Sequence, residues 1–282
     1  MVEFEFLDET LDINSTPSYH LSIQANLDGL VFSILDTVRN KYIALKSYGL
    51  TEKNIADFDW YESIIQKDEF LLQQYKSVGL IYVGEKSTLV PDPLFRKESI
   101  RDFADINMQI DDNEEVHFNK IPRVDAWTVY PIPVKLVNVF QKQFPNVLFF
   151  HQSLPFINQL MLNQKNSENK PQVYINLFAS MFEMAVVESK NFKFYNCFPY
   201  KNVNDLLYFI LNVFNQMKLP PEHTNLYLSG KITRQSSLYE NLKRYIKKPE
   251  FRKPDSHYNY SYTFDSLPRH SNLNLLNLYP CV

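Results

Sequence analysis

Three runs rich in β-branched and aromatic residues, Gln172 to Phe178, Met181 to Val187 and Phe192 to Phe198, predict an antiparallel meander, with Lys190-Asn191 turning the second into the third. Apolar Leu206, Leu207, Phe209, Ile210, Leu211, Val213, Phe214 and Met217 then recur at helical spacing over Asn204 to Lys218, and Pro220-Pro221 stops the helix. Asn225-Leu226-Tyr227-Leu228 reads as a buried strand. Coming after a crossover helix, it is expected to run parallel to its neighbour in the same sheet. The unit is β-β-β-α-β.

The same pattern starts earlier in the chain. Residues 1 to 17 read as an arm with one short strand. Leu21 to Ala25, Leu30 to Leu35 and Lys41 to Leu45 form a second meander, turned at Asp28-Gly29 and Arg39-Asn40. Asp59 with Glu62 fits a capping box for a helix whose inner face carries Trp60, Ile64, Leu71, Leu72 and Tyr75. Gly79 to Val83 and Ser87 to Val90 read as a further strand pair, and a polar stretch runs to Asn119. Asp111, Asp112, Glu114 and Glu115 cluster in that stretch, but the glycine that bends a calcium loop is missing, so a solvated acidic loop is expected.

Regular structure resumes with a strand at Ala126 to Tyr130, a helix at Val134 to Phe144, a strand at Asn146 to His151 and a helix at Leu154 to Leu162. Eight polar residues, Asn163 to Lys170, form the best linker. The chain thus reads as a tandem duplication of β-β-β-α-β-α-β in an α/β fold. Residues 1–168 form the first domain, with an inserted subdomain at about 77–123, and residues 169–282 form the second. Gln235 to Ile246 supplies the second domain's last helix, and Tyr258 to Phe264 its last strand.

Composition narrows the function classes. With 282 residues, 45% of them hydrophobic, the chain can bury sizeable cores. Its 29 basic and 32 acidic residues leave a net charge of −3, so only a local patch would recruit nucleic acid or an anionic membrane. Two cysteines make no disulfide framework, no apolar run approaches the ~20 residues of a membrane helix, and the acidic start lacks a signal peptide's basic region. A cytoplasmic location is expected. Five glycines stand where average usage would give about twenty.

Two such domains in tandem, the first with an insertion, resemble the ribonuclease H-like, actin-like ATPase fold of actin, heat-shock chaperones, sugar kinases and pilus-assembly actin homologues. Thr88-Leu89-Val90-Pro91 with Leu94-Phe95, the Trp127 to Pro133 strand leading into a helix, and the closing Leu275 to Cys281 resemble more specifically DUF3822, an uncharacterised Bacteroidetes family. The resemblance implies an ATP site between domains, to which each domain presents an Asp-x-Gly hairpin. Glycine lets backbone N–H groups approach phosphate, and aspartate holds hydrated Mg²⁺ or positions water. A Gly-Gly pair in the second domain would receive adenine.

Those motifs are degraded. The first hairpin reads Asn26-Leu27-Asp28-Gly29, which a plain Asp-Gly turn explains. The second reads Asn176-Leu177-Phe178-Ala179-Ser180, with Asn for the aspartate and bulky residues for the glycine. At the adenine position stands Ser229-Gly230-Lys231. Asn26, Asp28, Asn176, Ser180, Ser229, Gly230 and Lys231 would lie nearest a nucleotide. No catalytic residue, metal ligand or cofactor is assigned, and the leading expectation is a protein that has lost ATP hydrolysis and acts as an interaction or scaffold protein with an unknown protein partner. The alternative is an ATPase or kinase using ATP and Mg²⁺ through atypical residues. A second alternative is an RNA-associated factor acting through the basic 243–253 segment, which includes Lys243, Arg244, Lys247 and Lys248. The cations favoured at a helix's carboxyl end explain that segment more simply.

Overall fold

A computed structural model describes residues 1–26, 29–50, 58–162, 170–246 and 248–282. The chain divides into two units, one of Met1–Phe156, Asp255–Ser266 and Asn274–Val282, the other of Ile157–Pro254 and Leu267–Leu273. The boundary expected at 168/169, and all of the expected linker except Lys170, fall in 163–169, outside the described residues.

In the first unit, β1 (Val2–Leu7), β2 (Tyr19–Asn26), β3 (Gly29–Asp36) and β4 (Lys41–Gly49) are antiparallel neighbours in the order β1-β4-β3-β2. Register aligns Leu21 with Ile34, Ile23 with Phe32 and Ala25 with Leu30, so one face of the meander is continuously apolar. Helix α1 (Phe58–Lys67) covers that face with Trp60, Tyr61, Ile64 and Ile65 and returns the chain to β5 (Ser77–Tyr82), which runs parallel to β2. Val78 and Leu80 pair with Leu21 and Ile23 and continue the apolar face. This corrects the expected insertion at 77–123, since Ser77–Tyr82 is the sheet strand that follows the first helix.

The insertion follows β5. Strands β6 (Thr88–Pro91), β7 (Glu114–Ile121) and β8 (Ala126–Pro133) make a separate antiparallel sheet of order β6-β8-β7, with helix α2 (Ile100–Asn107) between β6 and β7 in the chain. Val90 pairs with Trp127, so the Ser87 to Val90 segment finds its partner in β8 and not across Glu85-Lys86. Val90, Ala104 and Val129 form a small core, over which Phe95 stacks on Trp127 at 4.1 Å. Lys86 binds Asp111 and Glu114, each at 2.9 Å, which accounts for two members of the acidic cluster. Helix α3 (Val134–Gln143) then joins α1 on the main core through Leu136, Val137 and Phe140, and β9 (Leu148–His151) extends the sheet parallel to β5. Helix α4 (Ser153–Leu162) leads into the second unit.

There, β10 (Gln172–Leu177), β11 (Met181–Glu188) and β12 (Asn191–Pro199) form the predicted meander. Asn202 caps α5 (Val203–Gln216) by accepting from the N–H groups of Asn204 and Asp205. Strand β13 (Asn225–Gly230) runs parallel to β10, as the crossover rule requires, with Val173 opposite Leu226 and Ile175 opposite Leu228. Helix α6 (Ser237–Tyr245) and the short β14 (Glu250–Phe251) complete the order β12-β11-β10-β13-β14. The strand directions of this sheet repeat those of β4-β3-β2-β5-β9. Val173, Ile175, Leu177, Phe182, Met184 and Val186 face α5 and α6 across the core.

The chain's end departs from expectation. Of Tyr258 to Phe264, only β15 (Asn259–Tyr260) is extended, and it pairs with β4 in the first sheet. Pro254, lacking an N–H, stands between β14 and this segment. Tyr258 and Tyr260 both pack on Tyr42, whereas Tyr262 is exposed and donates to Glu9 Oε2 at 3.0 Å. Helix α7 (Leu273–Leu276) and a 3₁₀ turn at Tyr279–Cys281 close the chain, with Leu275 and Leu278 wholly buried. Among the described residues, no helix is long and apolar enough to cross a membrane.

Candidate functional site

The second unit brings four of the sequence candidates together on adjoining strands. Asn176 on β10 lies opposite Ser229 on β13, and Leu177 lies opposite Gly230, with Lys231 next. Ser180 sits apart, on the exposed tip of the β10–β11 hairpin.

Alternation dictates what these side chains do. Val173, Ile175 and Leu177 point into the helix-covered core, so Gln172, Tyr174 and Asn176 take the opposite face. That face is also buried. Asn176, 4% exposed, donates through Nδ2 to Glu183 Oε1 at 2.9 Å, and Glu183 is completely buried. Tyr195 donates its hydroxyl to Glu183 Oε2 at 3.0 Å. Its single proton is thereby used, so the Cys197 thiol, 3.1 Å away, is the donor to the tyrosine oxygen. Burial, with the neighbouring Glu183 carboxylate, pushes the Tyr195 hydroxyl well above its ordinary range and keeps it a donor. Asn176 is thus a structural amide in a buried network. The signal for Glu183 was one carboxylate inside the apolar run Met181 to Val187.

The same face carries a buried cation. Arg252 Nη2 donates to Gln159 Oε1, and its guanidinium lies 5.9 Å from the ring of Tyr174, which stacks on Tyr227 at 5.0 Å. Burial pulls the Arg252 pKa down to about 10, so it stays charged at neutral pH.

The hairpin tip is closed from within the sheet. Phe178 N–H donates to Met181 O at 2.9 Å, and Leu177 and Phe178 are both buried. Tyr200 clasps the turn from the end of β12: its N–H donates to Ser180 O at 2.9 Å and its hydroxyl to Phe178 O at 2.6 Å. The exposed tip, Ala179-Ser180, is thus held from both sides by Phe178 and Tyr200.

Gly230 is the position where glycine is obligatory. Its φ is +83°, and a Cβ there would lie 2.1 Å from Leu177 O. The freedom serves a chain turn and not an open donor array. Gly230 N–H donates to His270 O at 3.0 Å, Lys231 N–H to Leu177 O at 2.9 Å and Ile232 N–H to Gly230 O at 2.9 Å. Ser229 Oγ, fully buried, donates to Ile175 O at 3.3 Å.

In the first unit the hairpin candidates are less informative. Asp28 lies outside the described residues, and of Asn26 only the backbone is described, paired with Gly29. Gly29 has φ +148°, and a Cβ there would meet Tyr48 O at 2.0 Å, so this glycine answers to its own sheet. Of the basic segment, Lys243, Lys248, Arg252 and Lys253 line a cavity beside β14, the exposed Arg244 does not, and Lys247 lies outside the described residues.

ATP and Mg²⁺ do not fit the second-unit residues described. The N–H groups of Phe178, Gly230, Lys231 and Ile232 are hydrogen-bonded within the chain, bulky side chains occupy the hairpin, and an amide replaces the carboxylate.

The strand order nonetheless defines a class. A structure from Bacteroides thetaiotaomicron VPI-5482, described as a protein with actin-like ATPase fold and unknown function, is similar with a TM-score of 0.83 and 20% identity, over 97% of this chain and 100% of that one. A chain of the PilM-PilN type IV pilus biogenesis complex is similar with a TM-score of 0.63 and 10% identity, over 93% of this chain and 98% of that one. These likenesses show the actin-like ATPase fold. Residues 8–248 match the family described as protein of unknown function DUF3822, and the chain belongs to that family. No curated protein matches the sequence.

Proposed function

We propose that this protein keeps the actin-like fold without ATP hydrolysis and acts by binding a protein partner. The observation that carries the reading is the internal use of the N–H groups of Gly230, Lys231 and Ile232, together with the clasp of Tyr200 on the β10–β11 turn. Phosphate recognition at such turns needs N–H groups that point outward without side chains in the way. Reopening them would break several internal hydrogen bonds, each worth about 0.5–1.5 kcal/mol net. The occurrence of the fold in a PilM-PilN complex is in keeping with a protein-binding role.

Phosphate release from Mg-ATP tests the reading. The expected result is release no faster than in buffer alone. Turnover that is abolished by Asp28→Ala, while the fold is retained, would overturn it.

A further inference from the structure

At the β14 edge of the second sheet lies a cavity of about 770 Å³. Six cations line it, Arg234, Lys243, Lys248, Arg252, Lys253 and Arg269, and Glu250 is the one carboxylate among the lining residues. They come from separate elements. Arg234 precedes α6, Lys243 is in its last turn, Lys248 and Lys253 flank β14, and Arg269 lies in the segment that returns to the second unit. For a chain with a net charge of −3 this is a local concentration of positive charge.

Aromatic rings hold the arrangement. Phe251 stacks with His270 at 4.1 Å and with Tyr239 at 5.4 Å. The Arg234 guanidinium lies 5.7 Å from the Phe251 ring centre, and Lys243 Nζ lies 5.7 Å from that of Tyr239. His270 donates through Nε2 to Ile232 O at 2.6 Å, and burial lowers its pKa, so it adds no charge at neutral pH. Lys243 also meets Glu240 at 3.3 Å, an exposed pair of small energetic weight. Among the described residues, Arg234, Lys248 and Lys253 have no carboxylate within ion-pair distance.

We propose that this cavity binds a compact, multiply phosphorylated anion. Volume and charge density favour phosphate over an acidic peptide. A carboxylate brings one charge per side chain, whereas a phosphate group brings about −1.5 to −2 together with three strong acceptor oxygens. Two to four phosphates would therefore balance this lining within a volume typical of small-molecule sites, roughly 300–1,000 Å³. The rings that could stack a nucleobase are engaged with one another and with Arg234 and Lys243, which disfavours single-stranded nucleic acid. The site is also separate from the β10–β11 turn, because β13 lies between β10 and β14.

Calorimetric titration of the full chain with inorganic tripolyphosphate tests this. One binding event per chain is expected, weakened at least tenfold by Lys248→Glu and by Lys253→Glu and weakened further by salt. Both lysines are exposed, and an unchanged melting temperature would show that each variant is folded. Equal binding by the variants would overturn the proposal, as would binding no tighter than sulfate at matched ionic strength. An oligoribonucleotide that binds more than tenfold tighter than tripolyphosphate through the same lysines would overturn it in favour of nucleic acid. Because the readout is binding at β14 and not ATP turnover, this proposal and the loss of hydrolysis stand or fall separately.

Discussion

In the first sheet, the face turned away from α1 and α3 carries His20, Ser22 and Tyr42, and the chain's own last residues lie against it. Tyr42 donates to Leu276 O at 2.6 Å, and His20 packs on Tyr279 at 4.9 Å. In the second sheet, the topologically equivalent face carries Asn176, Glu183, Tyr195 and Arg252. One strand order is thus completed by neutral imidazole–hydroxyl pairs and an apolar tail in one case, and by a buried acid–amide–phenol network beside a buried guanidinium in the other. Topology fixes which residues face away from the helices, whereas the satisfaction of polar groups is settled locally. A site that depends on a few open donors can therefore be lost while the fold persists.

The comparison can be broken from the second sheet with the largest effect. Glu183→Ala removes the buried carboxylate that accepts from the Asn176 amide and the Tyr195 hydroxyl and is expected to cost about 4 kcal/mol. Faster amide exchange across Val173 to Leu177 would register the loss. In the first sheet, Leu278→Ala empties a fully buried position and is expected to cost about 3 kcal/mol. Urea unfolding followed by tryptophan fluorescence isolates this effect, since Trp60 and Trp127 both belong to the first unit.

Acid sharpens the contrast at smaller scale. His20 is buried between Ser77 and Ser22, and His151 between Ser153 and Gly84 O, and burial pushes each pKa down to about 3. The unfolded chain takes up these protons near pH 6.5 and the folded chain only near 3, so stability is full above 6.5 and declines as pH falls through that window. Between pH 6.5 and 5 each histidine is expected to remove about 2 kcal/mol. His20→Asn should flatten the acid limb of the first unit's fluorescence-detected urea midpoint. Smallest is Tyr200→Phe, which removes the hydroxyl clasp on Phe178 O at about 1 kcal/mol. Its mark is faster exchange confined to the β10–β11 turn.

The meanders, the crossover helices and the parallel β13 were legible because alternation and 3.6-residue spacing are local signals. Local pattern alone places Ser77–Tyr82 in the insertion, because a strand pair and a lone parallel strand look the same in sequence. Only its pairing with β2 decides between them. Alternating tyrosines predict a full strand over 258–264, yet only Asn259–Tyr260 pairs with β4, and Tyr258 and Tyr260 pack on Tyr42 while Tyr262 does not. At the candidate site, the wrong residue types for a phosphate hairpin were visible in Asn176, Leu177 and Phe178. The occupants of the Gly230 and Lys231 amides were not, because His270 O lies 40 residues further along the chain and Leu177 O lies on another strand. The cavity at β14 escaped for the same reason, since Arg234 and Arg269 join the 243–253 segment only in three dimensions.

Amide hydrogen exchange of Gly230, Lys231 and Ile232, with and without Mg-ATP, tests the central claim most directly. Donors already bonded to His270, Leu177 and Gly230 carbonyls are predicted to exchange slowly in the free protein and to keep the same rates when Mg-ATP is added. Fast exchange in the free protein that becomes slow only with Mg-ATP would contradict it.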